Sequence, residues 1–303
     1  MPQSATDVAD FAQQVVSGLS SGSIYASVAL AIVIVYRSTG AVNFAQGEMA
    51  TFTTFVAWTL VDHGLGYWGA FALTLLIAFA GGIVLERVLI RPVEDAPVLT
   101  VVILTIGLFI ALNGLMNWIW SAQVRSFPPN RPFPTRTIDV GGVAISIQDI
   151  GIVAVTLALV FALYVLFQHT KVGLALRAAA LDRDSSRLVG VRVGWMLALG
   201  WGLAAALGAV AGLFTAAAFP PLEPNMMRAV LIYAFAAAVL GGLTSPVGAV
   251  VGGLALGVTL NLLSAYVDFV GTQLRLPVAL VLILGVLLVR PAGLFGRVAV
   301  RRV

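Results

Sequence analysis

The chain has 303 residues, of which 60% are hydrophobic and only 10% charged, with a mean hydropathy of +1.03. A soluble domain carries about 25% charged residues, so a surface this poor in charge needs hydrocarbon as its main solvent. The net charge of +4 comes from 17 basic against 13 acidic side chains; in a membrane protein such an excess fixes orientation through cytoplasmic loops, and nucleic acid is not expected as a partner.

A spanning helix needs about 20 mostly apolar residues. Taken in chain order, such runs fall at 11–36, 67–90, 97–120, 149–168, 194–219, 246–264 and 275–290. Two shorter apolar pieces, 49–62 and 228–241, are too short to span unless irregular backbone continues their path. The repeated apolar runs argue against a cleaved leader ahead of a soluble domain. The expected fold is an all-α polytopic bundle of about eight or nine crossings with two broken or short helices.

Arg87 and Arg91 follow one run, a charged island at 170–194 follows another, and Arg290, Arg297, Arg301 and Arg302 crowd the end of the chain. Placing all three in the cytoplasm requires both short pieces to count as crossings. The C-terminus then lies inside and the N-terminus outside. Against this stands the loop 121–148, which carries Arg125, Arg131 and Arg136 with the Pro-rich "SFPPNRPFP" and would face outward.

The two short pieces follow one plan. Residues 43–82 and 223–263 each run from a polar kink through a short apolar piece and a Gly-rich turn to a longer helix. On this topology the two copies point in opposite directions, a possible inverted repeat. Interrupted segments at matching places in two halves are a pointer to a transport pathway. Small residues in "AAALGAVAG" (204–212) and "VGAVVGGLALG" (247–257) allow close helix packing.

The absence of cysteine excludes disulfide and thiol chemistry. The only lysine, Lys171, is preceded by "FQHT", so no phosphate-binding loop of the G-x-x-x-x-G-K-[ST] type exists and the chain is not expected to hydrolyse ATP. His63 and His169 are far apart, and neither a metal site nor a catalytic residue is expected. Asn113 and Asn117, one turn apart, suit hydrogen bonding between helices. Glu48 heads a short apolar piece, where a helix-capping role and a functional role are both open.

The island "TKVGLALRAAALDRDSSRLVGVRVG" holds seven of the chain's 30 charged side chains. Positions 174, 178, 181, 185 and 188 form a mostly apolar helical stripe, and Asp184 can pair with Arg187 three residues on. This reads as one short amphipathic helix in the cytoplasm, and its mixed charge suits a protein partner better than a lipid surface.

The stretch "GLSSGSIYASVALAIVIVYRSTGAVNFAQGEMATF" (18–52) resembles the N-terminal signature of bacterial branched-chain amino acid ABC transporter permeases of the LivH type. "TKVGLALRAAALDRDSSRLVGVRV" resembles that family's cytoplasmic loop, "AFAAAVLGGLTSPVGAVVGGLALG" its late Gly-rich segment, and "RPAGLFG" its closing motif. The turn "TSPVG" departs from the longer Gly-rich turn of many relatives. The resemblance implies a single transmembrane permease domain over 1–303 in the bacterial inner membrane, multi-pass and lipid-embedded. Its implied partners are a second related permease, two ATP-binding subunits that hold ATP and Mg, and an extracytoplasmic substrate-binding protein. The chain itself would carry no cofactor. The implied solute is a branched-chain or related neutral amino acid, moved by alternating access. Urea, amides or another small polar solute remain alternatives, as do an ion-coupled secondary transporter and a non-transporting scaffold. Expected pathway residues are Asn43, Gln46, Glu48, Gly241 and Gly242. Expected ATPase-coupling residues in 170–194 are Arg177, Leu181, Asp184, Arg187 and Leu188.

Overall fold

The structure is a computed structural model and describes residues 3–296 apart from 95, 127–132, 135, 141, 220 and 272. Arg131, Arg297, Arg301 and Arg302, used above to orient the chain, lie outside the described residues, as does most of the Pro-rich stretch. Among the described residues, six helices are long and apolar enough to cross a membrane. They are α1 (Gln3–Thr39), α3 (Tyr67–Leu85), α4 (Val98–Trp120), α5 (Ile147–His169), α8 (Val193–Ala218) and α10 (Pro246–Tyr266). Helix α3 is prolonged by a π-turn, Glu86–Ile90, and a 3-10 turn, Arg91–Val93.

Of the other described helices, three continue the bundle but are shorter: α2 (Gln46–Asp62), α9 (Met227–Gly241) and α11 (Arg275–Val289). At 1.5 Å per residue, a helix of this length covers about 22–26 Å, less than a hydrocarbon core of about 30 Å. The sequence predicts the first two as short but takes 275–290 as a full span. With 15 helical residues, α11 joins the short class.

The bundle has an inner and an outer layer. In α1 and α8, 89% and 83% of the apolar span is buried, against 17% in α4 and α5. Ile103, Ile110 and Trp118 of α4 and Phe161 of α5 are exposed, which is stable only against lipid or another apolar surface.

Glycines set how closely the inner helices approach. A Cβ on Gly253 of α10 would fall 2.5 Å from the Ala26 backbone of α1, and one on Gly22 would fall 2.9 Å from Leu254 Cα. The contacts run Gly18–Val258, Gly22–Leu254, Ala26–Gly253, so α1 and α10 are antiparallel. Gly82 of α3 stands in the same relation to Trp201 and Gly202 of α8. Helix α2 instead runs parallel to α8, with Gln46 beside Gly208 and Thr54 beside Gly212.

The two copies of the repeated plan are exchanged in space. Helix α8, which opens the second half, packs on α2 and α3 of the first; α1 packs on α9 and α10 of the second. Each short helix ends in a turn with a glycine at positive φ, Gly64 after α2 and Gly242 after α9. Ser245 then caps α10 by accepting the Gly248 N–H, with Pro246 at the first helical position.

The loop 121–148 holds a hairpin the sequence reading missed, β1 (Thr137–Val140) paired antiparallel with β2 (Val143–Ser146). Alternating β-branched residues favour the strands. Gly142 supplies the positive φ of the turn and donates its N–H to Asp139 Oδ1. Ser146 then caps α5 by accepting the Gln148 N–H. A second link, Arg125 N–H to Leu222 O and back, ties this loop to the chain entering α9.

The α1–α10 approach makes a direct test. Gly253→Ala is expected to destabilise the purified protein by about 1–3 kcal/mol through overpacking, read as a lower melting temperature in detergent. Gly107→Ala, where a Cβ meets nothing within 4 Å, is expected to be neutral or slightly stabilising.

Candidate functional site

Between α1 and α2 the chain leaves helical geometry for residues 40–45, and Ala41, Asn43 and Ala45 there are buried. Irregular backbone at membrane depth is tolerated only where the protein supplies partners for its freed polar groups. Here it does. Ala41 N–H bonds Thr39 Oγ1, Phe44 N–H bonds Thr105 Oγ1 on α4, Ala45 N–H bonds Asn43 Oδ1, and Gln46 N–H reaches Asn43 O. Asn43 Nδ2 donates to Gln46 Oε1 at 3.1 Å, and Gln46 Nε2 donates to Ala204 O at 2.9 Å, halfway along α8. The start of α2 is thereby fixed deep in the bundle.

Helix α9 begins at the same place. A Cβ on Gly47 would lie 3.6 Å from Met227 Cβ and 3.3 Å from the Leu231 side chain. The first turns of the two short helices, one from each half of the chain, therefore meet. Around this junction lies a polar cluster. Asn113 Nδ2 of α4 donates to Glu48 Oε2 at 3.4 Å and to Asn225 Oδ1 at 3.2 Å, and Asn117 Nδ2 donates to Asn113 O and Oδ1. Glu48 is buried, while Asn225 and the neighbouring Arg228 are exposed. Arg228 is near enough to act on the Glu48 side chain electrostatically. The cluster thus reaches from a buried carboxylate to the surface of the subunit.

Asn43, Gln46 and Glu48 lie together at the start of α2, but not as an open cavity lining. Asn43 and Gln46 are wholly enclosed and hold the kink. Glu48 does not cap α2; its carboxylate is in the first turn, where the helix dipole favours it, but its hydrogen bond is to Asn113. Asn113 makes the interhelical bond foreseen for it. Gly241 and Gly242 are elsewhere. Gly241 packs on the Gly248 backbone, and Gly242, at φ +100°, lies against Ala292 and Gly296. The segment 290–296 closes the end of α9, with Leu294 N–H on Leu240 O and Phe295 N–H on Gly241 O. These two glycines serve backbone packing and do not face the polar cluster. Asn225 and Arg228 were missed, although "EPNMMR" occupies in the second copy the place of "NFAQGEM" in the first.

At another end of the bundle, the charged island is two helices and not one: α6 (Lys171–Leu181) and α7 (Arg183–Leu188). Asp182 divides them, because its Oδ1 accepts the N–H groups of Asp184 and Ser185 and so caps α7. The Ser185 hydroxyl and N–H, then the Asp184 N–H, hold the Asp182 carboxyl below the usual aspartate range. A lowered value means this support is present at neutral pH and is lost as pH falls through the acidic range. Gly173, Leu176, Ala179 and Ser186 face inward, while Leu174, Leu181, Leu188 and Val189 are exposed, the last three by 84%, 88% and 78%. Arg187 pairs with Asp184 and with Glu94, each at 3.5 Å, and Arg183 donates to Ser38 O at the end of α1. Arg177 turns away from the exposed leucines to bond Gln168 Oε1 at the end of α5.

A polytopic helical bundle with two half-length helices meeting at a polar junction, and a capped amphipathic loop at one end, has the architecture of a membrane permease. The family described as branched-chain amino acid transport system / permease component matches residues 14–289, and the chain belongs to that family. It is 34% identical to the high-affinity branched-chain amino acid transport system permease protein BraD of Pseudomonas aeruginosa, over 98% of this chain and 99% of that protein. It is 32% identical to the corresponding LivH protein of Escherichia coli K12, over 97% and 98%. A probable LivH permease of Methanocaldococcus jannaschii is 27% identical over 88% and 87%. No solved structure matches.

Asn113 joins α2 to the approach of α9, so its removal has a defined signature. In a double-mutant cycle on thermal stability, Glu48→Leu and Asn113→Leu are expected to couple by about 0.5–2 kcal/mol. Strictly additive losses would mean that the bond contributes nothing.

Proposed function

We propose that the chain is one of two permease subunits of an ATP-driven importer for branched-chain or related neutral amino acids. It works with two separate ATP-binding subunits and an extracytoplasmic binding protein, in the inner membrane of a bacterium, with the end of the chain in the cytoplasm. The observation that carries the solute reading is the Glu48–Asn113–Asn225 cluster beside Arg228, read together with the family. A zwitterionic amino acid needs an acceptor for its ammonium and a donor set for its carboxylate. Glu48 offers the first, and Arg228 with the Asn225 amide offers the second. Because Asn225 and Arg228 are exposed on this subunit, the solute would pass along this face, between the two permeases.

Leu181 and Leu188 would enter a cleft of an ATPase. Force on them has a route inward, since Arg187 is tied to Glu94 beyond α3 and Arg183 to the end of α1. ATP and Mg would be held by the partner subunits, and closure of the ATPases would change access at the polar junction.

Two experiments test the two halves of this reading. Glu48→Gln keeps shape and hydrogen bonding and removes only charge. It is expected to leave expression and subunit assembly intact while reducing leucine uptake by about tenfold or more, the scale of a lost charged contact of about 1.5–3 kcal/mol. Unchanged uptake would remove Glu48 from the pathway. Replacing Leu181 and Leu188 with Asp is expected to release the ATP-binding subunits from the permease on affinity purification without affecting membrane insertion. Co-purification at the wild-type ratio would place docking elsewhere.

A further inference from the structure

A second feature is independent of the transport site. Helices α1, α5 and α10 enclose a groove of about 570 Å³. Its walls are apolar: Leu157, Phe161 and Tyr164 of α5 face Val247 and Val251 of α10 across it. All five are exposed on this chain, from 42% to 66%. One end of the groove is different. Arg37, from the last turn of α1, and Arg177, from α6, both line it, and both also line an adjoining recess between Ser38, Leu176 and Pro246.

Among the described residues these two cations have no anion. Among the described residues the ion pairs involve Arg187 alone, and no hydrogen-bond acceptor is placed on Arg37. Arg177 has one neutral acceptor, Gln168 Oε1, while its Nε is buried without a partner. The two positive charges oppose each other. Guanidinium groups packed beside apolar walls are costly unless paired, and a planar fork of donors is suited to phosphate. No carboxylate lines the groove to receive an ammonium group, so a zwitterionic amino acid does not fit it.

We infer that this groove is a binding site for one anionic phospholipid, its phosphate held between Arg37 and Arg177 and an acyl chain lying along α5 and α10. The shape and the charge agree. The apolar wall leads to the cationic end, and that end lies where the apolar helix α5 gives way to the charged island, the place at which headgroups would be met. Basic pockets between spanning helices on the cytoplasmic side are sites for anionic headgroups. The lipid would also join three parts that meet there, the end of α1, the end of α5 and α6, and would steady the loop that carries Leu181 and Leu188. Arg177 then acts inside the island as a lipid ligand, not as an ATPase contact.

The test uses the full chain purified with whatever subunits accompany it, and native mass spectrometry of retained lipid. The probes are phosphatidylglycerol, phosphatidylethanolamine with the same acyl chains, and soluble glycerol phosphate. Phosphatidylglycerol is expected to be retained over phosphatidylethanolamine by about tenfold or more. The double variant Arg37→Gln with Arg177→Gln is expected to lose that preference, and the double Lys variant to keep most of it. Val251→Trp, a change at an exposed apolar position that fills the groove, is expected to reduce retention even if the Gln variant cannot be purified. Equal retention of the two lipids, or a preference that survives the Gln variant, overturns the site. So does full competition by glycerol phosphate, which would show a headgroup site without a tail. Loss of the lipid whenever a second permease is bound would make the groove a subunit interface and would likewise overturn it.

Discussion

Hydrocarbon offers no hydrogen bonds, and this chain breaks helical geometry at two junctions, the largely buried segment 40–45 and the partly exposed entry to α9. Everything in the core follows from enclosing those breaks. Residues 40–45 are satisfied by Thr39, Asn43 and Thr105, and the entry to α9 is held by Arg125 and by its own turn at Glu223–Met226. The enclosure is made by α1 and α8, the two most buried helices. They approach their neighbours closely because glycine stands at the contacts, Gly22 and Gly253 on one side, Gly82 and Gly202 on the other. Without those contacts the kinks would have to meet lipid with unpaired amides.

The exchanged packing of the two halves has a mechanical consequence. Helix α8 is a wall for α2 and α3, and α1 is a wall for α9 and α10, so neither half closes its own junction. A shift of one half against the other therefore acts directly on the place where α2 and α9 begin. The polar cluster sits on that seam, with Glu48 from the first half and Asn225 from the second joined through Asn113.

The charged island reaches the same elements from the other end. Arg183 holds the end of α1 and Arg187 holds Glu94, beyond the π-turn that ends α3. A π-turn is a locally weakened stretch of helix, often found at functional places. Asp182 separates α6, packed on α5 and α8, from α7, which carries the tie to Glu94.

Periodicity and local chemistry were enough to read much of this from sequence. Apolar runs of sufficient length can only be helices in lipid, so the six long helices and the two short pieces 49–62 and 228–241 were legible. The polar kink at Asn43–Glu48 was legible because polar residues and glycine interrupt an apolar run, and the repeated plan was legible because its punctuation recurs. Some local features went unread: the Asp182 cap within the island, and the β-hairpin, whose short alternation is weak beside the strong apolar signal. What only the tertiary structure decided is which distant groups meet. Asn113 and Asn225 are 112 positions apart, and no local rule links them; their contact depends on α4 coming beside the segment that leads into α9. Gly241 and Gly242 have the composition of a pathway turn, yet the fold places segment 290–296 against them. Arg177 belongs by sequence to the charged island, but its side chain lines the groove formed by α1, α5 and α10. A sequence fixes the type and spacing of side chains along one helix, whereas the partner across an interface depends on how helices are rotated and stacked, which is set by the sum of many close contacts.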